Sequence, residues 1–145
     1  MTDQVVRVPA ETWLAEVTRS VAEGFTHVDW LGSADEIGRS DDLRIVVRLL
    51  DAAGAGVRLE TLVPRDGGTL ASVRHVLAGA AWHERDVSDF FGVTFDGGDP
   101  RPLLLRPGVV GHPLRKDVVL AARVTRPWPG GKEPGEESAG ARRRM

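Results

Sequence analysis

Two apolar runs separated by a turn-prone link constrain the fold of this chain more than any other feature. The runs occupy residues 41–50 and 57–63, where apolar and polar residues largely alternate. Alternation with a period of two is typical of a strand with one buried face. The link between them, DAAGAG, favours a turn. We therefore predict an antiparallel hairpin in which Arg48, Arg58 and Glu60 lie on the more polar face.

Further elements are predicted on both sides of this hairpin. Residues 9–23 carry apolar side chains at helical spacing, and residues 80–91 predict a second helix that ends at Gly92. An apolar stripe after Thr69 predicts an additional helical region, and residues 25–31 predict another strand.

These elements together predict an α+β fold. We expect a small, mostly antiparallel sheet with two to three helices, followed by an irregular Pro/Gly-rich C-terminal extension. A chain of 145 residues has the length of one domain. Because Pro and Gly crowd the chain after the second helix, we assign residues 1–95 to a compact α+β domain, 96–126 to an irregular, partner-facing segment and 127–145 to a flexible tail.

The composition excludes several kinds of site. The chain has no cysteine, which excludes disulfides, thiolate zinc sites, cysteine-bound iron–sulfur clusters and a cysteine nucleophile. The four histidines show no metal-binding spacing, so we predict no metal site. A formal net charge of −2 argues against a general nucleic-acid binder. No apolar run is long enough to span a bilayer, so we expect any membrane attachment to go through a partner.

The densest group of polar and aromatic residues has the sequence WHERDVSDFF. On a helix, Arg85 lies one turn from Asp89, which favours a structural surface pair. The alternative is a small hydrolase whose acid/base group comprises Glu84, Asp86, Asp89 and His112. Glycosidase chemistry needs two carboxyl groups facing each other across a cleft, which adjacent turns of one helix do not normally supply. We therefore favour the structural interpretation of this group.

A second distinctive segment has the sequence GHPLRKD, from Gly111 to Asp117. A Gly, a Pro and a compact run of opposite charges predict a fixed loop that faces a partner. In that loop His112 either holds the backbone by hydrogen bonds or acts in catalysis. A third function class is an adaptor that binds RNA or lipid through Arg142, Arg143 and Arg144, although a solvated tail is the simpler interpretation.

The two segments together resemble the C-type, or thirty-kilodalton, subunit of NADH-quinone oxidoreductase, the enzyme also called respiratory complex I. The first resembles the pattern W-x-E-R-E/D-x-x-D-[LMF]-[FY]-G-[IV]-x-F, and the second matches G-H-P-L-R-K-D at every position. We predict that the interface with other subunits includes Trp82, Glu84, Arg85, Asp89, Phe91, Gly92, Phe95, Gly111, His112, Pro113, Leu114, Arg115, Lys116, Asp117 and, in the tail, Trp128. Within this set, we expect Glu84 and Asp89 to hold Arg85 and Arg115.

The resemblance implies a non-catalytic peripheral-arm subunit of an enzyme that passes electrons from NADH to quinone and couples this to ion translocation. It implies no cofactor, metal or catalytic residue in this chain, since the iron–sulfur clusters, flavin and quinone belong to the rest of the complex. The implied partners are the D-type subunit, which forms the quinone site, and the iron–sulfur subunits, with no nucleic acid. The implied location is peripheral, at the cytoplasmic face of the cell membrane.

One stretch departs from the family's usual sequence. Residues 95–105, FDGGDPRPLLL, stand where the family usually has F-x-G-H-P-x-L-R-R-I-L, and they resemble hydrogenase-type versions. The alternative is therefore the equivalent subunit of an energy-converting hydrogenase or a formate hydrogenlyase-like complex.

Overall fold

The computed structural model of the chain describes residues 4–119. Strands, helices and a short 3₁₀ helix alternate along this part of the chain. Their bounds are β1 Gln4–Arg7, the 3₁₀ helix Ala10–Thr12, α1 Trp13–Ala22, β2 His27–Asp35, β3 Asp42–Leu50, β4 Gly56–Pro64, β5 Thr69–Ala71, α2 Ala80–Phe91 and β6 Thr94–Asp96. The predicted α+β class is confirmed.

The main sheet has the strand order β1-β4-β3-β2. The predicted hairpin is confirmed, since β3 pairs antiparallel with β4 and Val47 lies opposite Leu59. The Asp51 carboxylate holds the turn by accepting the backbone N–H groups of Ala53 and Ala55 at 2.9 and 2.8 Å. Strand β2 adds antiparallel to β3, whereas β1 adds parallel to β4. The sheet is therefore mostly antiparallel, as predicted.

The core lies on one face of this sheet, which we call the inner face. Ile45, Val47 and Leu59 are fully buried there, together with Trp13 of α1 and Val87 of α2. Side chains alternate between the two faces of a strand, so the intervening residues lie on the outer face. Both helices therefore pack on the inner face, and the outer face carries no helix of residues 4–119.

Glu60 lies on the outer face but is buried there. Arg58 Nε lies 3.0 Å from its carboxylate, and nitrogens of Arg7 and Arg44 lie at 3.6 Å. Its place on the more polar face agrees with the prediction, and it is buried there because three guanidinium groups cover the carboxylate.

The predicted helix after Thr69 is wrong. Residues 69–71 form strand β5, which pairs parallel with β6, so that Leu70 lies opposite Phe95. The apolar side chains of this stripe are buried as predicted, because Leu70 and Val73 both belong to the core, but their backbone is a short strand followed by turns and not a helix.

Helices α1 and α2 follow the prediction. The 3₁₀ helix leads into α1, and α2 runs from Ala80 to Phe91 and ends at Gly92 as expected. Gly92 has a φ of +79°, the left-handed conformation that commonly ends a helix and that glycine adopts without steric cost. A β-carbon at this position would lie 2.4 Å from His112 Nε2, so the helix end and the second motif touch closely. Within residues 4–119, no helix has both the length and the apolar character needed to cross a membrane.

Candidate functional site

Arg85 joins α2 to the chain that follows β6. Its Nε and Nη2 donate hydrogen bonds to the carbonyl oxygens of Arg101 and Pro102, both at 2.8 Å. The same guanidinium lies over the Trp82 ring, 5.3 Å from its centre, in a cation–π contact. Arg85 therefore uses its planar set of donors to hold two successive backbone carbonyls.

Asp89, one turn later on α2, holds the next part of this chain. A single carboxylate oxygen, Oδ2, accepts the backbone N–H groups of Leu103, Leu104 and Leu105 at 2.8, 2.8 and 3.1 Å. Burial by itself raises the pKa of Asp89, but the three donors outweigh it and keep the pKa below its ordinary value. Asp89 is thus ionised at neutral pH, and the three amides converge on it.

The GHPLRKD segment lies against the C-terminal end of α2. His112 Nδ1 lies 3.0 Å from the Asp89 carbonyl oxygen, the Leu114 N–H donates to the Phe90 carbonyl at 3.3 Å, and Arg115 Nε donates to the Phe91 carbonyl at 2.8 Å. The last carbonyls of a helix have no partner within the helix. The second motif therefore caps the helix that the first motif forms.

Arg115 extends this contact to the loop after β4. Its Nη2 donates to the Arg65 carbonyl, and Nη1 donates to the Asp66 carboxylate at 2.7 Å. Because three acceptors lie around one planar guanidinium, the side chain is largely buried although Asp66 itself is exposed. Arg115 therefore joins the end of α2 to the loop that follows β4.

Asp35, at the end of β2, holds the last residues of the second motif. Its carboxylate accepts the N–H groups of Lys116 and Ile37 at 2.9 and 3.0 Å and pairs with Arg65 at 3.3 Å. Burial raises the pKa of Asp35, but these donors outweigh burial and lower the pKa overall. Arg65 also pairs with Asp117. The segment is thus bonded to the main sheet as well as to α2.

Glu84 is buried on the inner side of α2, with 2% of its surface exposed. Its Oε2 accepts the Ser72 hydroxyl and its Oε1 accepts the Val73 N–H, both at 2.7 Å. Burial dominates and raises its pKa. The expectation that Glu84 and Asp89 hold Arg85 and Arg115 is wrong. Both carboxylates bind hydroxyl or amide donors and both arginines bind backbone carbonyls, because the irregular chain leaves these backbone groups unpaired.

The groups required by the hydrolase alternative are not gathered at one place. A depression of about 280 Å³ is lined by Glu84 and His112, but Asp86 and Asp89 do not line it. Both oxygens of Glu84 already accept hydrogen bonds. Among the residues that the structure describes, no group of three or more His, Asp or Glu side chains is placed to hold a metal ion.

The chain that α2 and Asp35 hold in place, residues 97–119, carries apolar side chains that lie in solvent. Val110 is 96% exposed and Trp82 is 61% exposed, and Leu104, Val109 and Val119 are exposed as well. Arg85, Asp89, His112 and Arg115 bond to groups of the chain itself, whereas these apolar side chains lie in solvent. We call residues 97–119, together with Trp82, the anchored surface.

The other predicted site residues divide between core and surface. Phe95 is buried in the core, Phe91 and Pro113 are partly buried, and Gly111 and Leu114 are exposed. Trp128 and the tail that contains it lie outside the described residues. The assignment of these residues to an interface with other subunits stays a prediction.

Sequence reasoning missed the residues that hold the second motif from the sheet side. Asp35 and Lys116 are 81 positions apart, and Arg65 and Arg115 are 50 apart. Neither Asp35 nor Arg65 belongs to a recognisable local pattern, so no sequence signal pointed to them.

Comparison with known proteins agrees with the two motifs. Residues 6–124 match the family model described as respiratory-chain NADH dehydrogenase, 30 Kd subunit. NAD(P)H-quinone oxidoreductase subunit J of Synechococcus is 36% identical over 106 residues, covering 68% of this chain and 60% of that protein. The C/D-type NADH-quinone oxidoreductase subunit of Gluconacetobacter diazotrophicus is 34% identical over 107 residues, covering 71% of this chain and 18% of that protein. The chain thus matches only part of these relatives' length.

Two solved structures share the fold. The trypsin-resistant fragment of Nqo5 is 25% identical with a TM-score of 0.60, covering 66% of this chain and 80% of that chain. A chain of the membrane-bound sulfane sulfur reductase, an archaeal respiratory membrane complex, is 24% identical with a TM-score of 0.71, covering 83% of this chain and 74% of that chain. With the family model matching most of its length, this chain belongs to the family of the 30-kilodalton subunit of respiratory-chain NADH dehydrogenase.

Proposed function

We propose that this chain is a non-catalytic peripheral subunit of a membrane-associated NADH-quinone oxidoreductase, and that it packs on the quinone-site subunit through the anchored surface. The complex would pass electrons from NADH to quinone and couple the transfer to ion translocation. Its iron–sulfur clusters, flavin and quinone would be carried by other subunits, at the cytoplasmic face of the cell membrane.

The anchored surface is the observation that carries this proposal. A segment without regular secondary structure is held by Asp89, Arg115 and Asp35, yet Val110 and Trp82 remain in solvent. Ordering such a segment costs conformational entropy, and exposed apolar side chains repay that cost only when a partner covers them. Trp and Arg are also enriched at protein interfaces. The arrangement therefore suits docking better than catalysis.

A relative in which two subunits are joined supports the identity of the partner. The Gluconacetobacter diazotrophicus protein has a combined C/D name, and this chain matches only 18% of it. Fusion into one polypeptide requires that the two parts can lie close together. We therefore propose a D-type quinone-site subunit as the main partner, with iron–sulfur subunits nearby.

A hydrogenase-like complex is the second candidate. The membrane-bound sulfane sulfur reductase contains a chain of the same fold, so the fold also occurs in a respiratory membrane complex of another name. Residues 95–105 also depart from the usual sequence of the NADH-quinone oxidoreductase subunit, and they resemble hydrogenase-type versions. In this candidate the role of the chain stays the same and the electron donor differs.

Affinity purification tests the main proposal. The full chain, tagged at its N-terminus, is recovered from gently solubilised membranes of its own source, and its partners are identified by mass spectrometry. A D-type subunit together with iron–sulfur subunits is expected. Flavin- and NADH-binding subunits in the same sample indicate the NADH-oxidising complex, whereas a nickel-site subunit indicates the hydrogenase-like one. Recovery of the chain alone would contradict both.

A substitution pair assigns the binding to the anchored surface. Val110→Asp places a charge where the surface is most exposed, and Leu14→Asp places one in the first turn of α1, where an acidic residue is tolerated. We expect Val110→Asp to lower recovery of the D-type subunit by roughly fivefold or more, the effect of losing an interface contact worth about 1 kcal/mol. Leu14→Asp should leave recovery unchanged. Deletion from residue 127 onward tests Trp128 in the same way.

A further inference from the structure

The outer face of the main sheet has a concave surface of its own, apart from the depression at Glu84 and His112. A cavity of about 580 Å³ lies between the end of β1, the turn from β2 to β3, and strand β4. Its lining includes Arg7, Pro9, Arg39, Arg44 and Leu62. It lies outside the anchored surface, since no residue of 97–119 lines it.

The charges of this cavity are arranged by depth. Arg7 and Arg39 reach solvent, with side chains 83% and 82% exposed, and each also lies within ion-pair distance of a mostly buried carboxylate beneath it, Glu60 at 3.6 Å and Glu36 at 3.8 Å. Arg44 pairs with both buried carboxylates and is partly exposed itself. The groups that a ligand would meet first are therefore guanidinium groups, which bind carboxylates in a planar, two-bonded geometry.

Exposed apolar side chains accompany these guanidinium groups. Leu62 on β4 lies at the cavity, and Val5 on β1 and Trp30 on β2 are exposed farther along the sheet. Register places Val5 opposite Arg58 and Trp30 opposite Arg48, so all of them share the outer face. Arg, Trp and aliphatic residues without lysine are typical of a protein interface.

We propose that this cavity binds an acidic segment of a partner protein. Carboxylates of that segment pair with Arg7 and Arg39 at the rim, and an apolar side chain of it packs on Leu62 and Pro9. The face is a second docking surface, and it allows the chain to bridge two neighbours rather than only to bind one.

Three other occupants fit the observations less well. Residues 120–145 carry six Lys or Arg residues against three Glu residues, so their net charge of +3 opposes a cationic rim. Two copies facing each other would bring like charges together. A bilayer surface is flat and does not fill a concave site.

Site-specific crosslinking in the assembled complex tests this proposal. The chain contains no cysteine, so Leu62→Cys provides a single thiol for a benzophenone maleimide at the cavity. The tag is placed at the C-terminus because Arg7, the last residue of β1, lines the cavity. We expect a crosslink to a peptide of another subunit that carries at least two acidic residues near the crosslinked position.

Paired charge variants assign this crosslink to the rim. Arg7→Gln with Arg39→Gln removes the two exposed guanidinium groups, and Arg19→Gln with Arg74→Gln removes two others away from the cavity. We expect the first pair to lower the crosslink yield on the order of tenfold, the loss of two exposed ion pairs, and the second pair to leave it unchanged.

This proposal rests on the proposed function, docking through the anchored surface, and the outcomes of the experiment distinguish the two. The experiment uses the complex formed through the anchored surface, and co-purification of the D-type subunit reports on that surface independently. Suppose that the D-type subunit is recovered but Leu62→Cys gives no crosslink. The acidic-partner proposal is then overturned and the proposed function stands. The same holds if the crosslink goes only to lipid, to a second copy, to residues 120–145 or to a segment without acidic residues. If no other subunit is recovered, both proposals are overturned.

Discussion

Replacing Asp89 by alanine tests whether α2 holds the segment that follows β6. The substitution removes one carboxylate oxygen and with it the hydrogen bonds from the N–H groups of Leu103, Leu104 and Leu105. The domain core is untouched, because Asp89 is only partly buried and is not among the core residues. The expected effect is therefore local release of this part of the chain.

The magnitude follows from the number and kind of bonds. A hydrogen bond to a charged group contributes about 1.5–3 kcal/mol, but here three donors share one oxygen and the freed N–H groups can bind water. We therefore expect a loss of about 2–3 kcal/mol in the free energy that holds the segment. Since about 1.4 kcal/mol corresponds to tenfold, protection against hydrogen exchange should fall roughly 30- to 150-fold.

Amide hydrogen exchange of the full chain measures this directly. We expect the amides of Leu103, Leu104 and Leu105 to exchange faster in Asp89→Ala, and to a smaller degree in Asp89→Asn, which keeps an acceptor but loses the charge. Asp86→Ala removes a carboxylate from the same helix that accepts no hydrogen bond from the described residues, so it should leave these amides unchanged. Equal exchange in wild type and Asp89→Ala would refute the reasoning.

The pH dependence gives an independent check on the charge of Asp89. Its pKa is lower in the folded chain than its ordinary value of 3.8. The carboxylate therefore binds fewer protons in the folded state, and its stabilising effect is present above pH 3.8 and is lost as the pH falls through the folded pKa. The difference in protection between wild type and Asp89→Asn should accordingly shrink below pH 3.8.

Two further predictions concern the remaining contacts of α2. Gly92→Ala and the control Gly54→Ala both place a β-carbon at a positive φ, but only the β-carbon at position 92 meets His112. The free energy of unfolding in urea should therefore fall by about 1–3 kcal/mol more for Gly92→Ala than for Gly54→Ala. His112→Ala in the Gly92→Ala chain should remove this excess, and equal losses at the two glycines would contradict the proposed contact. Burial raises the pKa of Glu84 above 4.5, so wild type loses stability as pH rises from 4.5 through the folded pKa. Glu84→Gln does not titrate and should therefore gain stability relative to wild type as the pH rises above 4.5, whereas a constant difference would show that the pKa of Glu84 is not raised.

Elements with a strong local period could be predicted from the sequence, and elements formed by distant pairing could not. The β3–β4 hairpin and the end of α2 at Gly92 depend on neighbouring residues, and both were predicted. Strand β1 has only four residues, and Val5 pairs with Arg58, 53 positions away, so its sequence gives no comparable signal. The stripe after Thr69 was assigned to a helix because short apolar runs fit either period until a pairing partner is known.

The two motifs are explained by each other more than by any site that either could form alone. Polar residues in the first motif hold residues 101–105, and the second motif binds the carbonyls at the end of the helix that the first motif forms. Arg85, Asp89 and Arg115 bind groups of their own chain, mostly backbone groups, with the Asp66 carboxylate as a further partner of Arg115. We infer that they act on a partner through the position of the backbone between the motifs. Several of the side chains that would touch the partner, such as Val110, then belong to neither motif, and only their exposure in the structure identifies them.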